Sequence, residues 1–286
     1  MDHNFKESNS ELEILAIRIR QDIIKMIHAA GSGHPAGSLG MTDVMVALYF
    51  RILRHNPKNP DWNERDRFLL SNGHICPARY ATMARAGYFS PDELLTLRNF
   101  GSRLQGHPER LRLPGLESTS GPLGAGLAQG AGLAYAARLD ELSWHTYVLT
   151  SDGEHGAGLH WEAVLFAGKN RLANLTCIVD RNDIQIDGPT EEVMPIEPLK
   201  EKYLAFNWNV IEIDGNDIGQ IIKAAEQAKS ISDRPTCIIA KNIPGCGVSF
   251  MENDHKWHGL APNNEETERA LAELQAVEQK LTMNVA

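Results

Sequence analysis

The chain has 286 residues, 42% of them apolar and 23% charged. That is the composition of an ordinary globular protein, and it excludes a disordered, collagenous or coiled-coil chain. With 28 Lys and Arg against 37 Asp and Glu, the formal charge of −9 argues against a nucleic-acid or anionic-membrane partner. Residues 1–10 are polar and read as a loose tail, with 11–286 as one domain. From Leu12 an apolar stripe (Leu15, Ile19, Ile23, Met26, Ile27) predicts a helix ending at Gly31-Ser32-Gly33. Thr42 is placed to cap a second helix carrying Val44, Met45, Leu48, Tyr49 and Ile52. Pro91-Asp92-Glu93 opens a short helix, and residues 101–125, rich in Gly, Pro and Ser, read as a long ordered loop.

The second half alternates. Four β-rich runs, Tyr147–Thr150, Leu175–Asp180, Val210–Asp214 and Thr236–Lys241, are separated by helical stretches at Leu159–Gly168 and around Ile218, Ile221, Ile222 and Ala225. Continuous apolar strands alternating with helices predict an α/β fold: a doubly wound, mostly parallel sheet with helices on both faces. Asn263, with Glu266 three residues on, caps a last helix bearing Ala270, Leu274, Val277 and Leu281. No apolar run approaches the roughly 18 residues of a membrane span. The N-terminus lacks a signal-peptide core, and four cysteines without a CxxC pair suit reduced thiols in a cytoplasmic protein.

Ligands of such sheets bind beyond the strand C-termini. There the chain carries Ser151-Asp152-Gly153-Glu154 and Asp180-Arg181-Asn182-Asp183-Ile184. Asp152 and Asn182 are 182 − 152 = 30 residues apart, one helix between them, so they belong on adjacent loops. A carboxylate, an amide oxygen and a backbone carbonyl make an incomplete oxygen shell suited to Mg²⁺ or Ca²⁺, with positions left for phosphate oxygens. Gly153 admits a bulky phosphate, and a helix start after it offers free N–H groups. Asp152 could equally do no more than cap the following helix; spacing alone leaves both readings open. His34, His74, His107 and His258 sit in Gly-flanked loops. One such histidine usually means nothing, but four suggest a cluster that orients phosphate and moves hydroxyl protons. Zinc is the weaker rival, since HExxH is missing and His255-x-x-His258 lacks a cysteine pair. Neither a P-loop nor a GxGxxG fingerprint is present. Gly121-Pro122-Leu123-Gly124 leads into a run of small residues, which reads as a tightly packed helix or as bare backbone for a flat ring.

Taken together, SGHPAGSLG, LSNGH, GHPE, STSGPLGAG, SDG with VDRNDIQIDG, and FMENDHKWHG resemble the N-terminal half of transketolases, in particular the first subunit of transketolases split into two chains. The resemblance runs from about Leu12 to Asn263. It implies a thiamine diphosphate-binding domain with a divalent metal held by Asp152, Asn182 and the Ile184 carbonyl. It implies that Gly153, Asn182, His74 and His258 serve the diphosphate, and that Gly121 and Leu123 lie against the aminopyrimidine. His34, His107 and His258 would then line the sugar channel as catalytic residues, and Glu162 would match a carboxylate network between active sites. The implied activity moves a two-carbon ketol unit from a ketose phosphate to an aldose phosphate. A separate C-terminal, pyrimidine-binding subunit would complete it, in an α2β2 assembly. Two positions depart from the pattern: Ser151 stands for the first glycine of GDG, and Ala157 for a common Glu. Alternatives are a deoxyxylulose phosphate synthase-like or 2-oxoacid dehydrogenase-like subunit, or a non-catalytic cofactor-binding subunit.

Overall fold

The computed structural model describes residues 7–285. Helix α1 spans Asn9–Ala30. Ser8 starts it through a capping box with Glu11, each satisfying the other's backbone N–H, so the expected tail is shorter on its described side. Residues 1–6 lie outside the described residues. Gly31, at φ 62°, ends α1 in the left-handed conformation. Next come α2 (Pro35–Gly40), α3 (Thr42–Ala47) and a π-helical turn at Leu48–Ile52. Thr42 does not cap. Its hydroxyl donates to the Ser38 carbonyl at 2.9 Å, because the helical run has already begun at Pro35, whose fixed φ suits a first turn.

Strand β1 (Arg67–Leu70), four residues long and absent from the sequence reading, precedes α4 (Cys76–Arg85). Ser90 caps a 3₁₀ turn over Pro91–Thr96. From residue 97 to 124 there is neither helix nor strand, and buried Leu104, Leu113 and Leu116 hold that segment down. Then follow α5 (Ala125–Leu139), β2 (Thr146–Ser151), α6 (Gly158–Asn170), β3 (Leu175–Arg181) and a small antiparallel pair, β4 (Ile184–Gln185) with β5 (Gly188–Pro189). The chain continues through α7 (Thr190–Val193), α8 (Leu199–Ala205), β6 (Asn209–Asp214), α9 (Ile218–Ser230), β7 (Thr236–Lys241) and α10 (Asn264–Val285). The four expected strands are present, each within a residue or so of its predicted ends. Asn263 and Glu266 form the expected capping box, though Val277 stays 38% exposed.

Five strands form one parallel sheet in the order β1-β2-β3-β7-β6. Alternate residues point to opposite faces, and both faces are covered. Phe68, Leu70, Tyr147, Leu149, Ile178, Ile238 and Ala240 pack with α1, α3, α4 and α9. Leu69, Val148, Cys177, Val179, Cys237 and Ile239 pack with α5, α6 and α8. The run of small residues in α5 is thereby explained: a Cβ on Gly130 would lie 2.3 Å from a Val148 methyl, so the helix backbone rests directly on β2. Winding reverses between β3 and β7. The crossover from β2 to β3 uses α6 on one face, while that from β6 to β7 uses α9 on the other. Ligands of such a sheet bind beyond its strand C-termini.

A buried charge pair fastens α1 to α3. Arg20 of α1 donates to both Asp43 carboxylate oxygens, at 3.1 and 2.6 Å, and Asn216 beyond β6 donates to the same carboxylate at 2.9 Å. Both charged side chains are nearly fully buried. Removing one partner of such a pair strands the other's charge. Arg20→Met is therefore expected to destabilise the chain by about 3–5 kcal/mol in urea unfolding. A loss below roughly 1 kcal/mol, the scale of an exposed pair, would show that the pair is not structural.

Candidate active site

One cleft of about 340 Å³ lies at the C-terminal ends of β2 and β3, and all ten residues singled out from the sequence line it: His34, His74, His107, Gly121, Leu123, Asp152, Gly153, Asn182, Ile184 and His258. Six segments far apart in sequence deliver them. His34 precedes α2, His74 sits in the turn after β1, His107, Gly121 and Leu123 come from the long loop, and His258 closes a 3₁₀ turn at His255–His258. The rings of His34, His74 and His258 form a triangle with centroids 5.1, 5.2 and 5.6 Å apart.

The cluster is held neutral. Burial pushes the His34 ring down to about 4, helped by neighbouring His258, Arg98 and His107. Burial also lowers His74, His107 and His258. Neutral rings offer both a donor and an acceptor, which suits hydroxyl and phosphate recognition. The Nδ1 atom of His34 is buried without a partner.

Asp152, at the end of β2, is 1% exposed. Its Oδ1 accepts from the Gly153 N–H at 2.7 Å. Its Oδ2 takes Arg181 at 3.1 Å, the Asp183 N–H at 2.9 Å and the Thr190 hydroxyl at 3.1 Å. So Asp152 does cap the next turn, yet Oδ1 keeps a free lone pair beside the cleft. Burial pushes its pKa above the ordinary carboxylate value even though Arg181 pulls the other way. Arg181 cannot neutralise it alone, because that single guanidinium pairs with Asp152, Asp183, Glu191 and Glu197 together. The surplus negative charge invites a cation.

Asn182 is oriented by its neighbours. Its Nδ2 donates to Asp180 at 2.9 Å while its Oδ1 receives the Ile184 N–H at 3.1 Å. Asp183, at φ 63°, turns the chain sharply between the two, so Asn182 and Ile184 line the same cleft. The expected helix start after Gly153 is corrected. Gly153–Gly156 is a four-residue 3₁₀ turn, and α6 begins at Gly158, because the Asp152 cap closes the chain too tightly for an α-turn. The Gly153 N–H is already bonded to Asp152, so what Gly153 offers is close approach. Gly121, at φ 142° with nothing within 4 Å of a would-be Cβ, presents bare backbone. Among the described residues no group of three or more His, Cys, Asp or Glu is placed to hold a metal ion, which lends the zinc reading no support. An oxygen shell using an amide and a carbonyl fits the donor set instead.

Three site residues went unread in the sequence. Glu154 is buried and bridges three elements: Ser71 and the Gly124 N–H bond its Oε2 at 2.7 and 2.8 Å, and the Ser151 N–H bonds its Oε1 at 3.0 Å. Burial lifts it to about 7. Asp180, buried and lifted to about 8 mainly by burial, receives Asn182 and Asn242. Gln185 lines the cleft beside Gly153 with its Nε2 unpartnered. Glu154 directly follows the DG pair, the one local hint available.

Comparison with known proteins decides the family. Residues 12–283 match the family described as transketolase, thiamine diphosphate binding domain. The chain belongs to this transketolase family. It is 41% identical to the 6-deoxy-6-sulfo-D-fructose transketolase subunit SqwG of Clostridium sp. (strain MSTE9), over 94% of this chain and 98% of that protein. It is 39% identical to an apulose-4-phosphate transketolase subunit of Phocaeicola vulgatus, over 94% and 96%. Transketolase from Campylobacter jejuni superposes with a TM-score of 0.87 at 32% identity, covering 94% of this chain but 45% of that one. This transketolase domain thus spans nearly all of its subunit relatives and under half of that solved transketolase. Its cofactor is thiamine diphosphate. The surplus charge at Asp152, the bare Gly121 backbone and the unpartnered His34 and Gln185 nitrogens fit a metal-bridged diphosphate.

A histidine whose folded value lies below its unfolded one binds fewer protons when folded, so its contribution to stability is present above pH 6.5 and lost on acidification toward 4. With His34 at about 4, its ring NMR signals are expected to stay unchanged between pH 7 and 5.5. A His34 midpoint near 6.5 would show that the ring is solvated rather than packed in the cluster.

Proposed function

We propose that this chain is the diphosphate-binding subunit of a two-chain transketolase. Together with a separate pyrimidine-domain chain it transfers a two-carbon ketol unit from a ketose phosphate to an aldose phosphate. The observation that carries the reading is the meeting, in one cleft, of an under-neutralised carboxylate, an oriented amide oxygen and four histidines. The subunit names and near-full-length coverage of the relatives support the two-chain arrangement. We infer two copies of each chain, residues 11–286 acting as one domain, and a cytoplasmic location. The last agrees with free cysteines and with no described helix long and apolar enough to cross a membrane.

Thiamine diphosphate, when bound, supplies the nucleophilic carbon and electron sink for breaking and remaking the ketose C2–C3 bond. This chain's residues bind and orient. Asp152 and Asn182 side chains and the Ile184 carbonyl hold Mg²⁺ or Ca²⁺, which carries the diphosphate. Gly153 lets the diphosphate approach closely, and His74 and His258 donate to its oxygens. Gly121 and Leu123 form the surface for the aminopyrimidine. His34, His107 and His258, neutral and lining one cleft, accept and return protons at substrate hydroxyls. Ala157 leaves a methyl over Gly124, where a Cβ would meet it at 2.5 Å, so position 157 supplies no carboxylate for linking active sites. Glu162, exposed on α6, is the remaining candidate for that link.

The test is a ketol-transfer assay with sugar phosphates on the chain alone and on the chain assembled with a pyrimidine-domain chain. Turnover is expected only from the assembly, and Asp152→Ala is expected to lower it at least 100-fold. Full turnover by the isolated chain, or unchanged turnover in Asp152→Ala, contradicts the proposal.

A further inference from the structure

Behind the cleft, on the α6 and α8 side, lies a buried polar chain that the ketol-transfer reading does not use. His155 Nδ1 lies 2.9 Å from the Ser151 carbonyl and 3.1 Å from the Asp152 carbonyl. His155 Nε2 lies 2.9 Å from the Tyr203 hydroxyl, and His160 Nε2 lies 2.8 Å from the same hydroxyl. His155 is 3% exposed, and His160 and Tyr203 are fully buried. The Trp161 indole N–H donates to the His155 carbonyl at 2.7 Å, fixing that turn from the other side.

The hydrogens follow from the partners. Carbonyl oxygens only accept, so His155 carries its proton on Nδ1. The ring is 3% exposed and its bonded partners are carbonyls and a hydroxyl, with no carboxylate to hold a charge there, so His155 Nε2 is an acceptor and the Tyr203 hydroxyl donates to it. The Tyr203 oxygen then accepts, which puts the His160 proton on Nε2. His160 Nδ1 is left as a buried lone pair without a partner. The direction of the whole chain is set: His160 to Tyr203 to His155 to the backbone of Ser151 and Asp152. An unmet acceptor in the interior is costly. The fold keeps it for an arrangement whose far end grips the two residues carrying the candidate metal carboxylate.

We propose that His155, fixed in its Nδ1–H form by Tyr203 and His160, is a positioning residue that holds the Ser151–Asp152 backbone so that the Asp152 carboxylate meets the metal of the bound diphosphate. The proposal rests on the function proposed above. Residues that orient a metal ligand from behind typically change metal affinity 10- to 100-fold when replaced. His155 does not line the cleft, so its effect passes through the Ser151–Asp152 backbone.

Two measurements test this on the full chain. Selective ¹⁵N labelling of histidine reads the ring protons directly, with His155 expected as the Nδ1–H form and His160 as Nε2–H. The opposite forms overturn the proposal whether or not any cofactor binds. Calorimetric titration of Mg²⁺ with thiamine diphosphate into the assembled two-chain protein supplies the second readout. His155→Leu is expected to weaken binding at least tenfold and Tyr203→Phe at least threefold. His155→Asn keeps a donor at the Nδ1 position and is expected to bind within threefold of wild type. Asn and Leu both break the link to Tyr203, so a merely structural role would move their unfolding midpoints and affinities alike. Equal affinities for the two, or wild-type affinity in His155→Leu, overturns the positioning role. Failure of the wild-type assembly to bind instead overturns the functional reading beneath it.

Discussion

A carboxylate at the end of β2 is taken almost wholly out of water, and its one cationic partner among the described residues is shared with three other acids. Buried charge is tolerated only when something balances it. Arg181 balances part of it and a divalent cation carrying a diphosphate would balance the rest. That unfinished neutralisation explains why Asp152 is pinned by four hydrogen bonds yet still offers a lone pair to the cleft. A fully solvated aspartate would need no such support and would hold a cation less firmly.

Around this carboxylate the sheet edge is sewn together by polar groups spanning strands. Glu154 joins the ends of β1 and β2 to the loop entering α5, so the turn after Gly121 is tied to the Asp152 turn. Asp180 joins β3 to the segment after β7 through Asn182 and Asn242, and fixes which end of the Asn182 amide faces away from it. An amide held the other way round would present hydrogens to the cleft. The C-terminal ends of β2 and β3 supply the cleft, and these bridges give it a fixed shape. A cleft whose donors are set before the ligand arrives loses less entropy on binding.

Much of this was legible in the sequence because the candidate site residues sit in short, recognisable motifs. Asp152, Asn182 and the four histidines are each flagged by neighbouring Gly, Asp or Asn. The bridges were not legible, since each partner is distant: Glu154 meets Ser71, Asp180 meets Asn242, and His155 meets Tyr203, separated by 83, 62 and 48 residues. β1 escaped because four residues give too short a pattern to separate a strand from a helix fragment. Thr42 misled because a hydroxyl before an apolar stripe looks like a cap, and only the preceding Pro35 turn shows that the helix had begun. The segment after Gly153 misled for a similar reason: a side chain capping its own next residue tightens the turn beyond α-helical geometry.

The central claim is that Asp152, Asn182 and Ile184 form the protein's share of a metal shell. Crystals of the assembled enzyme grown with Ca²⁺ and thiamine diphosphate test it most directly. The ion is expected about 2.3–2.6 Å from Asp152 Oδ1, Asn182 Oδ1 and the Ile184 carbonyl oxygen, as calcium–oxygen bonds require, with its remaining positions filled by diphosphate oxygens. A calcium ion bound away from Asp152 and Asn182, with the diphosphate following it, would contradict the account.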